Sequence, residues 1–302
     1  MSSFKSVFAT FGAMLSISGA AFGQDLGWQI SLEGLALQRT GTESVPLAID
    51  TGTAAVLLSA DEFDTDIHGG LKFSAVRETS EQNAFVLSGF YTGSMGSERI
   101  LDAADAEMII YGATFGTSPI HFGYESSLLG LEANWQHTLQ NNRVNVLAGL
   151  GFMSLDETMV VTDAASGPDL FNGDLVNNMI GAQVGIEATV LDEERWQVLG
   201  GGKLGIYANS ASFDAAFPQA GPAAIFDATG NSTVYSAELW VGAQYRLTDR
   251  VSLELGYQAL LLRNVGLMPE QFDDLAVPIL GEMDMGGRPL YHGITFGISS
   301  AW

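Results

Sequence analysis

The stretch "NMIGAQVGIEATV" places Ile180, Ala182, Val184, Ile186, Ala188 and Val190 on one face and Gly181, Gln183, Gly185, Glu187 and Thr189 on the other. A period of two predicts a β-strand with one apolar and one polar side. The apolar side carries alanines where a packed core would want large interlocking side chains, which suits a wall facing lipid. "VYSAELWVGAQY" repeats the pattern, with Tyr235, Ala237, Leu239, Val241, Ala243 and Tyr245 opposite Ser236, Glu238, Trp240, Gly242 and Gln244. The two tyrosines bound the apolar face. Their separation is roughly 33 Å along a strand, or about 24 Å of height at ~45° tilt, close to the ~25 Å band between the aromatic girdles of a membrane barrel.

Similar segments recur as "WQISLEGLALQR", "GLKFSAVR", "NAFVLSGFY", "SSLLGLEANWQ", "RVNVLAGLGF", "RWQVLGGGKLGIYA", "VSLELGYQALL" and the closing "ITFGISSAW". The short connections "ETSEQ", "QNN", "LDEE" and "LTDR" alternate with long ones over residues 40–68, 93–124, 155–174, 209–233 and 263–292. Short turns on one rim and long loops on the other predict an all-β, antiparallel transmembrane β-barrel with periplasmic turns and extracellular loops. One strand, four hairpins and a last strand give about ten strands, within a range of about eight to twelve, because "VPLAIDTGTAAVLL" and "AEMIIYGATF" could add a pair. The short-turn rim then gathers Trp28, Trp135, Trp196, Tyr245 and Trp302 into one aromatic girdle, with Tyr235 at the opposite edge. Trp240 has the other parity and is expected inside.

Composition narrows the picture. Residues 1–23, with Lys5, an apolar run and small residues around Phe22, read as a cleaved secretory signal, leaving residues 24–302 as the barrel. A net charge of -23 excludes a general nucleic-acid binder, and the absence of cysteine excludes disulfides and thiolate metal sites.

Parity places Glu33, Glu132, Glu187, Glu238 and Glu254 on the inward face with Lys72 and Lys203. Charges inside a barrel must pair or stay hydrated. Two readings stay open: a water-filled passage whose acidic lining favours cations, with Glu132 and Glu238 near its constriction, or a filled interior held by ion pairs. The loop acids in "SADEFDTD", "LDAADAE", "PEQFDD" and "GEMDM" make a solvated, self-repelling surface. Divalent binding between these loops is the lesser alternative, since no segment fits an EF-hand, and no metal site and no cofactor is assigned. His68, His121, His137 and His292 are scattered, and no H-E-x-x-H, G-x-S-x-G or P-loop occurs, so no catalytic residue is assigned. A hydrolase site assembled from loops, around His121 or His292, is the outside alternative.

The chain ends on Trp302 after Ile294, Phe296 and Ile298, with Ser300 interrupting the apolar face. This ending resembles the C-terminal signal of outer-membrane barrels. The resemblance implies insertion by a barrel-assembly machinery that reads Phe296 and Trp302. "YHG" at residues 291–293 and "FG" at residues 296–297 resemble the close of a poorly characterised outer-membrane β-barrel family of planctomycete-type bacteria, which implies location and fold but no activity. The expected partners are therefore outer-membrane lipid, the assembly machinery, and small hydrophilic solutes or cations. A narrow cation-favouring pore is the leading reading. A closed barrel acting through long acidic loops is the alternative.

Overall fold

The computed structural model describes residues 27–102, 106–108, 119–139, 143–163, 169–218, 224–272 and 283–302. The signal segment lies outside the described residues. In chain order the strands are β1 (Trp28–Thr40), β2 (Pro46–Asp50), β3 (Val56–Ser59), β4 (His68–Ser80), β5 (Asn83–Tyr91), β6 (Met95–Leu101) and β7 (Ala106–Met108). The remainder are β8 (Ile120–Thr138), β9 (Val144–Asp163), β10 (Asp169–Asp192), β11 (Trp196–Phe217), β12 (Ala224–Arg246), β13 (Val251–Arg263) and β14 (Leu290–Ala301).

Ten of these close an antiparallel ring in the order β1, β4, β5, β8, β9, β10, β11, β12, β13, β14 and back to β1. The expected architecture is the one found. The first and last strands meet at the short-turn rim, where Trp28 and Trp302 exchange both backbone hydrogen bonds at 2.8 and 2.9 Å. Closure leaves no open edge within the lipid layer, as a spanning sheet requires. The outward face there is apolar and exposed, for example Leu150, Ile180, Val184, Leu239, Leu255 and Phe296.

Two of the expected long loops are largely strand. Residues 155–174 and 209–233 belong mostly to β9, β10, β11 and β12, which run for 20, 24, 22 and 23 residues. A strand of that length spans roughly 80 Å, or about 55 Å of height at ~45° tilt, more than twice the ~25 Å apolar band. The ladders therefore continue well beyond the lipid, and the reason they were read as loops is that their pattern inverts. On β10 the outward residues change from Ile180, Val184 and Ile186 to Asn178, Asp174 and Asn172, while the inward residues change from Gln183 and Glu187 to Met179, Leu175 and Phe171.

The neighbours do not all follow. β13, β14, β1, β4 and β5 stop after 9 to 13 residues. The projecting part is a tall curved wall made of β6 and β8 to β12, with β6 continuing the line of β5 along the upper half of β8. Its concave side is filled. β3, β2 and β7 form a separate small sheet, so the first of the two optional segments builds a structure inside the head and adds no strand to the ring. Residues 109–115 of the second lie outside the described residues. Leu47, Ala48, Leu58 and, on the 3-10 turn Ala60–Phe63, Phe63 pack against inward-facing Phe122, Tyr124, Met159, Val161, Phe171, Leu175 and Phe213. A second apolar layer below includes Leu35, Leu37, Met153, Leu155, Met179, Tyr207, Leu262 and Leu267. Burial of each such side chain contributes about 1.5–3 kcal/mol, so this head has a core of its own.

Candidate functional site: an ionic vestibule beneath a sealed head

Below the apolar layers the interior opens into a cavity of about 400 Å³, lined by Glu33, Lys72, Glu132, Glu187, Lys203, Glu238, Trp240 and Glu254 among others. Strand alternation brings all eight to one space from β1, β4, β8, β10, β11, β12 and β13. The cavity reaches the short-turn rim at Gln29, Gln136, Thr189 and Gln197.

Lys203 organises its upper end. It stands opposite Glu238 in the β11–β12 ladder and pairs with it at 2.8 Å. It also crosses the interior to Glu132 on β8, at 2.6 Å. One cation thus bridges two carboxylates that would otherwise repel. Glu132 further accepts from Asn134 at 3.2 Å and from Ser88 at 3.4 Å. Gln183 donates to Asn134 and accepts from the Tyr207 hydroxyl, both at 2.8 Å, and Tyr207 belongs to the apolar layer above. Glu132 and Glu238 therefore sit directly beneath the seal, tied into its floor.

Nearer the rim, Glu187 accepts from Trp240 Nε1 at 3.2 Å and from Asn145 at 3.3 Å. Trp240 fits inside the lumen because it lies against Gly201, where any Cβ would collide with the indole. Glu254 accepts from Gln244 at 2.9 Å, and Lys72 donates to Gln258 at 3.3 Å. Glu33 faces Lys72 across the β1–β4 ladder. Five carboxylates against two lysines leave this space acidic.

A second ionic group lies in the head and was not singled out from the sequence. Arg39 on β1 and Glu157 on β9 pair at 3.0 Å with both side chains fully buried. Glu157 also accepts from the Tyr124 hydroxyl at 2.6 Å, from Ser126 at 3.3 Å and from the Met268 backbone N–H at 2.6 Å. The Arg39 guanidinium lies 5.3 Å from the Tyr124 ring centroid. Continuing the Glu33 parity along β1 reaches Arg39, and continuing that of Asn145 along β9 reaches Glu157. Arg39 lies at the end of the first predicted strand and Glu157 within the expected loop 155–174, so the sequence pattern does not bring the two together.

The same region holds residues 264–272 as a strap across the wall. Asn177 on β10 grips Gly266 through both its amide groups, at 2.9 and 3.0 Å, and Ser232 donates to the Asn264 carbonyl at 2.7 Å. Gln271 bonds the backbone of Asp284 in both directions, at 2.8 and 2.9 Å. Buried Glu270 accepts from the Glu43 backbone N–H at 2.8 Å. With little else to solvate it, burial pushes its pKa up to about 7.

The aromatic residues lie on the outer wall. Trp28, Trp135, Trp196 and Trp302 are exposed at the short-turn end, where the Tyr245 ring packs tilted against Trp196 with centroids 4.8 Å apart. Tyr235 is exposed near the far edge of the apolar band, opposite Ile206. Phe296 lies flat across Gly34 on the same wall. In the closing tripeptide, Tyr291 is buried in the head, His292 points outward to the Tyr257 hydroxyl at 2.9 Å, and Gly293 lets β14 approach the Ala36 carbonyl where a side chain would collide. His121 is exposed on β8, with Ile100 and Thr162 opposite it. Among the described residues no three histidines or carboxylates converge to hold a metal ion.

Fold and interior together define an antiparallel transmembrane β-barrel with an ionic vestibule and a filled head. No known family model and no curated protein matches the chain. Among solved structures it is similar to the outer membrane protease OmpT from Escherichia coli, at 11% identity and TM-score 0.57, over 94% of this chain and 99% of that one. The translocator domain of the autotransporter NalP from Neisseria meningitidis is 8% identical, with TM-score 0.46 over 98% and 96%. The OmpT likeness is one of fold.

Proposed function

We propose that the chain is an outer-membrane protein, exported by the signal in residues 1–23 and inserted by a barrel-assembly machinery, that stands closed in the membrane and works through its projecting acidic head. The observation that supports this reading best is the filled interior. Two apolar layers and a buried Arg39–Glu157 pair occupy the space that a diffusion pathway would need. A wall that stands roughly 30 Å clear of the lipid, by the strand lengths above, and carries its own core is suited to presenting a rigid surface. Membership of the planctomycete-type barrel family is a proposal carried by Tyr291, His292 and Gly293.

The narrow cation-favouring pore is the second reading, and the acidic vestibule favours it. It requires the inner sheet or the strap to leave the lumen. Conductance in a planar bilayer separates the two. The closed reading predicts a silent wild-type protein, with insertion verified by heat-modifiable gel mobility. It also predicts cation-selective steps once residues 45–63 are replaced by a short linker, weakened by Glu132→Gln and Glu238→Gln. Steady cation-selective steps from the wild-type chain would make it a pore.

A further inference from the structure

The strap is fastened to the head at both ends by side chains, yet one of its contacts is a buried carboxyl that forms no ion pair among the described residues. Glu270 touches the Glu43 backbone N–H through Oε1. From β9 it faces Glu157, whose charge is already committed to Arg39. From the connection after β1 it faces Glu43, and from the stretch ahead of β14 it faces Asp284. β2 and the 3-10 turn contribute Leu47 and Phe63 to the apolar cluster that holds Met268, while Asp61 and Glu62 of that turn are exposed. β10 contributes Leu175 and Asn177, and its Asp174 points outward. The charged groups that act on Glu270 most strongly, Glu43, Glu157 and Asp284, are therefore all acids.

We infer that residues 264–272 form a pH-sensitive strap, docked in the head while Glu270 carries a proton and loosened when it ionises among Glu43, Glu157 and Asp284. The attachments through Asn177, Ser232 and Gln271 are amides and a hydroxyl that do not titrate in this range, and the Met268 N–H is held by Glu157, which is itself paired with Arg39. They give the strap a fixed seat, and Glu270 sets how firmly it is occupied. This deepens the closed-barrel reading, resting on it only in treating the strap as part of the seal.

The sign of the effect follows from linkage. An undocked Glu270 ionises near 4.5 and the docked one near about 7, so docking is strongest at low pH. It weakens as pH rises between those values and levels off above the upper one. Hydrogen exchange of the amides of residues 265–272, in the refolded full chain and corrected for the intrinsic pH dependence of exchange, reads the opening directly. Opening is expected to rise about tenfold between pH 6 and pH 8, and to be flat in Glu270→Gln, which keeps an acceptor for Glu43 N–H. Wild-type protection that does not change with pH overturns the inference, as does an undiminished rise in Glu270→Gln. Neither outcome bears on the conductance test, so failure of the strap and failure of the seal are told apart.

Discussion

Within one continuous set of strands, the lower and upper halves of this molecule are built to opposite rules. In the lipid-embedded half, β10 points Ile180, Val184 and Ile186 outward and Gln183 and Glu187 inward. A few residues on, it points Asn178, Asp174 and Asn172 outward and Met179, Leu175 and Phe171 inward. The backbone ladder does not notice the change, since β10 stays in register with β11 from Thr189 to Asn172. What changes is the solvent. Lipid outside demands an apolar exterior and tolerates a wet, ionic lumen. Water outside demands a polar exterior, and the inner sheet and strap then give the interior something to pack against.

The two halves should therefore respond differently to equivalent substitutions. The largest effect is expected at Glu157→Ala, which leaves Arg39 as a buried, unpaired charge and strips partners from Tyr124 and the Met268 N–H. A loss of about 3–5 kcal/mol is expected for such a break. It should appear in denaturant unfolding of the refolded protein as an early transition of the head. Next comes Val241→Arg, midway between Tyr235 and Tyr245 on the lipid face, expected to cost about 2–4 kcal/mol at that depth and to reduce the folded fraction by gel mobility.

Lys203→Met leaves Glu132 and Glu238 facing each other without their shared cation. These side chains keep 13–16% of their exposure, unlike the Arg39–Glu157 pair, so the expected cost is smaller, about 1–3 kcal/mol, and should be relieved by adding Glu132→Gln. The smallest effect has the opposite sign. Asp174, Asp214 and Asp227 stand in register on the outer face of β10, β11 and β12 above the lipid. Asp214→Asn should stabilise by about 0.2–1 kcal/mol, because like charges directly opposite in a sheet repel. A thermal unfolding series in low salt would detect it.

The lower half was legible in the sequence because alternation, turn composition and tyrosine spacing all pointed to one barrel, and those signals come from a single environment on each side. The upper half was read as loops because the alternation reverses phase near Ser154, Asn178 and Ala208, and an exterior of Asn, Asp, Ser and Ala resembles connecting sequence. Arg39 and Glu157 share the inward parity of Glu33 and Asn145, but parity does not say that the two meet across the interior. Glu270, expected with the other acids of "PEQFDD" on a solvated surface, is instead buried: its burial depends on a strap and a distant Glu43, and no local pattern encodes that contact.

The central claim, that a wet lower lumen ends at a solid head, is most directly tested by thiol labelling, since the chain has 0 cysteines of its own. Single cysteines at Thr189, at the vestibule rim, and at Leu155, in the apolar layer, would be exposed to a small membrane-impermeant maleimide in the folded protein. The account predicts rapid labelling of Thr189→Cys and protection of Leu155→Cys until denaturant is added. Comparable labelling at both sites would mean that water runs through the head, and would contradict it.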